Sequence, residues 1–254
     1  MNAHRTQPLG RMRRAERGFT LVELSIAVLI GLFLLGGLLT LVQDMRRTFG
    51  AQNQLGQLQD NERLAMTLIA DVIQAAGYYP DPTLNTATTT FTGVAPFTQL
   101  GQAIAGTHVA AAPGDSITVR FNTALNDGVI NCKGSSNTAF APTHIFVNTF
   151  SVAALNGGQL LCKLDAFPPV PLITRVTNLQ ILYGVKRNLA VANNNVDTFL
   201  NAAQMNPADW TNVICVKVTL TFTNPLAATQ PGQPATIPFT RVVTVMSRAG
   251  ANTT

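Results

Sequence analysis

The sequence predicts an α+β protein: a long amino-terminal helix followed by a domain of antiparallel strands. Three observations carry that expectation. Between Phe19 and Val42 lie 24 residues of which Glu23 alone is ionisable, and no proline occurs between Pro8 and Pro80 to break a helix. Apolar residues then recur every three or four positions at Leu55, Leu58, Ala65, Leu68, Ile69, Val72, Ile73 and Ala76, one face of an amphipathic helix. Beyond Pro113 the period falls to two, in runs rich in Val, Ile, Thr and Phe.

The first of these stretches predicts a membrane span. A helix of that length extends roughly 36 Å, against about 30 Å for a hydrocarbon core. Its basic flank, Arg5, Arg11, Arg13, Arg14 and Arg17 against the single acid Glu16, places the amino terminus in the cytoplasm and sends the rest of the chain outward. A secretory signal has a shorter apolar core followed by a small-residue cleavage site; here the small residue, Gly18, precedes the apolar run. Glu23 is the unusual group. A carboxylate inside an apolar helix costs a few kcal/mol unless paired. Two readings stay open: a cation meets it, or it lies near enough to the interface to stay hydrated. Gly31, Gly36 and Gly37 suit either close helix packing or local unwinding.

Asp44–Arg47 marks the exit from the apolar stretch. Asp60, Glu62, Arg63, Asp71 and Gln74 then interleave with the apolar face, and Gly77, followed by Tyr78, Tyr79 and Pro80, signals the stop. From Asp81 to Pro113 the chain is rich in Thr, Ala and Gly with little periodicity, which reads as a long surface connection. Strands are expected at Ser116–Phe121, His144–Phe150, Gln159–Leu164, Leu172–Val185, Val213–Thr223 and Thr236–Met246. Asn156-Gly157-Gly158 reads as a hairpin turn between two of them. Two polar loops, Asn188–Trp210 and Asn224–Ala235, interrupt the rest.

With 46% hydrophobic and 11% charged residues in 254, the chain can bury a sizeable core, and the 175 residues from Pro80 onward suffice for one domain. The net charge of +5 belongs to the leader: without residues 1–18, twelve basic residues face eleven acids. No run of Lys or Arg interleaved with aromatics remains, so no nucleic-acid partner is expected. The export predicted by the basic flank puts Cys132, Cys162 and Cys215 where disulfides persist. Connectivity is not fixed by sequence. The positions favour Cys132–Cys162, closing a loop worth about 3.5 kcal/mol, with Cys215 a buried free thiol inside Val213–Thr223.

Catalytic constellations do not emerge. His4, His108 and His144 are scattered, and no zincin, nucleophile-elbow, Walker or dinucleotide-binding motif occurs. His144 opens a strand and reads as a structural residue. Asn193, Asn194, Asn195 and Asp197 suit a solvated turn better than a calcium site, since one carboxylate among amides is thin. Trp210 reads as a core or loop anchor, with an exposed contact as the alternative. Neither a metal nor a cofactor is expected, and the chain reads as a non-enzyme.

The order basic leader, Gly18-Phe19-Thr20-Leu21-Val22-Glu23, apolar helix resembles the processing site of type IV prepilins and type II secretion pseudopilins. The resemblance implies cleavage after Gly18, N-methylation of Phe19 and an assembly role for Glu23, whose partner would be the freed amine of Phe19 in a neighbouring subunit. It also implies the pilin-like fold, a helix half transmembrane and half laid on an antiparallel sheet. The divisions are then a cleaved leader at 1–18, a transmembrane and filament-core helix at 19–43, its amphipathic continuation at 44–77 and a β-rich periplasmic or extracellular domain at 78–254. Shorter matches at Asp71–Tyr79, Gly114–Phe121, Asn131–Gly134, Ile145–Phe150, Gln159–Leu164 and Thr240–Gly250 resemble the PilW type of minor pilin, itself similar to J-type minor pseudopilins.

That branch implies an inner-membrane prepilin that joins a pilus in a tip or priming complex. Its expected partners are other minor pilins, the major pilin, the prepilin peptidase and methyltransferase, the inner-membrane assembly platform and, before assembly, membrane lipid. The alternatives are a secretion-system pseudopilin and a tip adhesin whose Thr-rich and Asn-rich loops bind a ligand.

Overall fold

The computed structural model describes residues 18–191 and 193–249; residues 1–17 of the leader lie outside them. Contacts divide the chain into two units, Met1–Gln52 and Asn53–Thr254. One helix, α1 (Leu21–Gln74, 54 residues), runs through both. It continues unbroken past Gly31, Gly36 and Gly37, where an added Cβ would meet nothing within 4 Å, so the helix is not unwound there. No residue from Leu21 to Gly50 is buried, and an 18-residue window of that helix has the length and hydropathy to cross a membrane.

In the second unit α1 becomes one-sided. Leu58, Ala65, Met66, Ile69, Ala70, Val72, Ile73 and Ala76 are buried, the three-to-four spacing of a packed face. The helix stops where glycine permits it. Gly77 adopts φ +73°, donates its N–H to the Arg120 carbonyl, and leaves the Ala76 carbonyl to accept the Ser247 hydroxyl. A Cβ at Gly77 would lie 2.9 Å from Ser247 Oγ.

The strands form two antiparallel sheets, within the expected α+β arrangement. The first has the order β1 (Ile104–Thr107), β2 (Ser116–Ala124), β3 (Thr143–Ala153), β4 (Gln159–Leu164), β5 (Val170–Thr174). In the second, β7 (Thr198–Leu200), β6 (Val176–Val185), β8 (Val213–Thr223) and β9 (Thr236–Thr244) lie side by side. The expected single strand Leu172–Val185 is split by Arg175, whose φ of +65° turns the chain out of one sheet and into the other. Alternation then sets the core: Ile117, Val119 and Phe121, then Phe150, then Leu179, Ile181 and Tyr183, then Val216, Val218, Leu220 and Phe222 are buried together with the α1 face. Asn156, Gly157 and Gly158, all at positive φ, make the expected β3–β4 turn.

The stretch Asp81–Pro113 is a correction. It is not a surface connection: it carries a short helix α2 (Ala87–Thr90) and β1, and it buries Phe91, Phe97, Ile104 and Ala105. Its organiser is Arg120 of β2. The guanidinium sits 5.2 Å from the Phe91 ring centre and 4.2 Å from that of Phe97, donating to the carbonyls of Gln102 (2.7 Å) and Thr92 (2.8 Å). Burial pushes its pKa down to about 10. The last strand also ends earlier than the pattern implied, because Met246 opens a helical turn, α3 (Met246–Ala249).

Candidate functional site

The site begins at the amino-terminal end of α1. Gly18, Phe19 and Thr20 precede the helix and are exposed, Phe19 at 83%. Thr20 and Glu23 close a reciprocal box around the first turn: the Thr20 hydroxyl accepts the Glu23 N–H at 3.3 Å, while Glu23 Oε2 accepts the Thr20 N–H at 3.4 Å and its hydroxyl at 3.3 Å. The carboxylate thus turns back onto Thr20 and occupies the end of the helix where negative charge is favoured. From Leu21 the next ionisable residue after Glu23 is Asp44. Chemically this is an accessible peptide bond beside an apolar rod that carries one fixed acid.

The second unit is held by covalent and polar ties. Cys132 and Cys162 form the disulfide that their positions favoured, with Cα atoms 6.0 Å apart, joining the β2–β3 loop to β4. Cys215 is a buried free thiol on β8, its pKa raised by burial. His144 Nε2 donates to Asp165 Oδ2 (3.2 Å) and the ring stacks on Phe140, a structural role. Trp210 anchors its loop by meeting the buried Tyr183 ring edge-on at 4.9 Å. The Asn-rich loop spends its oxygens on itself. Asn193 accepts from Lys186 Nζ through both its side-chain and main-chain oxygens, and Asp197 accepts the Arg187 and Asn188 N–H groups at 2.7 Å each.

One residue escaped the sequence reading. Asp115, 3% exposed, sits in the turn entering β2 and accepts from the Val109 N–H (2.9 Å), His108 Nδ1 (2.8 Å) and the Ile181 N–H of β6 (2.7 Å). Its own N–H donates to the Leu179 carbonyl at 2.7 Å. The preceding Gly114, at φ +91°, passes so close to β6 that a Cβ would lie 2.1 Å from the Leu179 oxygen. Asp115 therefore clasps the two sheets together. The only hint in sequence was an Asp after a Gly ahead of a strand, which reads as an ordinary turn.

Residues 149–248, from β3 to α3, match the family described as type IV pilus-assembly protein W. Residues 13–39 match the prokaryotic N-terminal methylation motif, which spans Gly18–Glu23 and the first half of the apolar run. This is a PilW-like type IV minor pilin. No curated protein and no solved structure matches the chain. As a PilW-like pilin it is a single-pass inner-membrane prepilin with a carboxy-terminal domain, later part of the pilus. It is a structural subunit that interacts with other pilins and the assembly machinery.

Proposed function

We propose that the prepilin is cut after the leader, between Gly18 and Phe19, that the new amine of Phe19 is methylated, and that the subunit joins a tip or priming complex that starts the pilus. Residues 19–43 then form the filament-core helix, 44–77 its amphipathic continuation and 78–254 the exported domain. Prepilin peptidase and methyltransferase, other minor pilins, the major pilin and the inner-membrane platform are its partners in that order. The family's description as an assembly protein supports a role in building the filament rather than forming its bulk. It also favours a pilus over a secretion filament.

The observation that carries the mechanism is Glu23. Its carboxylate stands alone in an apolar helix and is directed toward the amino-terminal end, where cleavage releases a cation. A carboxylate of one subunit meeting the Phe19 amine of the next, in a medium of low dielectric, fixes which turn of one helix packs beside which turn of its neighbour. Glu23→Val tests this in cells. The variant is expected to be cut, methylated and membrane-inserted, yet scarce in sheared filaments. Incorporation equal to that of the native chain overturns the register role.

A further inference from the structure

The two sheets end in four edges, and three of them are short: β1 has four residues, β5 five with Pro171 inside it, and β7 three. The fourth, β9, is a nine-residue edge paired only to β8. Short strands and prolines are how folded domains blunt edges against pairing; β9 has one such proline, Pro238, near its start, and leaves the longer run beyond it open.

The direction of its hydrogen-bonding groups follows from flanking residues. The Ala235 carbonyl accepts from Asn224, and the Val245 N–H donates to Ile214, both on the β8 side. Peptide groups alternate along a strand, so the odd-numbered residues of β9 bond to β8 and the even-numbered ones point away. Pro238 fits, since its missing N–H falls on the outward side. The N–H groups of Thr240, Val242 and Thr244 and the carbonyls of Pro238, Thr240 and Val242 thus face outward, with no hydrogen-bond partner among the described residues. The edge is also exposed in its side chains, Val242 at 54%.

Charge selects what can pair there. Strands β6 to β9 carry Lys217, on β8 opposite Val242, and Arg241, on β9, and no Asp or Glu. A second copy pairing through β9 would set basic residues against basic residues, which is unfavourable across strands. We propose that β9 receives, by strand addition, an extended segment of a different pilin subunit that carries a carboxylate against Arg241 or Lys217. The inference rests on the pilin reading above and names one of the surfaces by which such a subunit engages its neighbours.

Val242→Pro isolates the edge. A proline there removes an outward N–H while leaving the β8 ladder untouched, as Pro238 already does four residues earlier. Val242→Ala keeps the N–H and is the control. With the full chain in its own cells, V242P is expected to lower surface pili at least about tenfold, and V242A to leave them unchanged, since a lost backbone bond and an intruding ring weaken association by that order. The V242P chain should keep the Cys132–Cys162 disulfide and native protease resistance.

A photoreactive benzoylphenylalanine at position 242 of the otherwise native chain provides a second measurement that does not depend on the proline. It is expected to give an adduct with a different pilin subunit, mapped by mass spectrometry to an extended acidic segment. Normal piliation with V242P, or an adduct only with a second copy of this chain, or none, overturns the proposal. An uncut, unmethylated native chain would instead overturn the pilin reading, so the two failures are distinct.

Discussion

Asp115→Asn is the sharpest probe of how the two sheets are joined. The carboxylate offers two oxygens to three donors, one of which, the Ile181 N–H at 2.7 Å, belongs to the other sheet. An asparagine has the same shape but one acceptor. If its amide nitrogen replaces Oδ2, the Ile181 N–H faces another donor; if it replaces Oδ1, the Val109 N–H does, while His108 can adapt by changing tautomer. One buried backbone N–H is orphaned either way, at about 1–3 kcal/mol, and the surviving bonds lose their charge assistance. The expected loss is about 2–4 kcal/mol. For a unit of this size that lowers the melting temperature by roughly 4–16 °C. Thermal unfolding of the full chain in detergent, followed by protease susceptibility of the exported unit, measures it. A melting temperature within about 1 °C of the native chain would refute the clasp.

Two further ties give measurable outcomes. Replacing Cys162 by Ser opens a 30-residue loop and is expected to cost about 3.5 kcal/mol, read as a lower urea midpoint under oxidising conditions. Reduction of the native chain should reproduce that shift, and unchanged midpoints in both would contradict the estimate. The Asp209 carboxylate is held below its ordinary 3.8, first by the hydrogen bonds from Arg187 and then by the Asn206 N–H. A depressed folded pKa means that its stabilisation is fully present above the unfolded value and is lost as pH falls through the folded one. Asp209→Asn should therefore flatten the decline in stability below about pH 4; an acid-unfolding profile identical to that of the native chain would exclude the pair as a contributor.

What the sequence made legible follows from how local the signals are. The apolar run and the three-to-four spacing in α1 are visible in a short window, and strands Gln159–Leu164 and Val213–Thr223 coincide with the observed limits because both alternate cleanly. Where order depends on distant partners the reading failed. Phe91 and Phe97 are buried against the guanidinium of Arg120, more than twenty residues on, and no period in Asp81–Pro113 announces that. The division into two sheets turns on the backbone of Arg175, set within a run of β-formers that looks continuous. At three residues, β7 is too short to leave a pattern. For the candidate site, the resemblance of Gly18–Glu23 to a prepilin processing site was legible in the sequence, and the roles it implies for Gly18, Phe19 and Glu23 remain part of the proposal. The Thr20–Glu23 box and the open side of β9 were not legible, since each depends on where atoms point rather than on residue type.

On the proposed mechanism, the one acid in the apolar helix is completed by a cation made on cleavage. Mass analysis of the amino terminus, taken from membranes and from sheared pili, tests that most directly. The mature chain is expected to begin at methylated Phe19 in both fractions, with Glu23 unmodified. A chain still carrying Arg13, Arg14 and Arg17 in assembled filaments, or cut anywhere other than after Gly18, would contradict it.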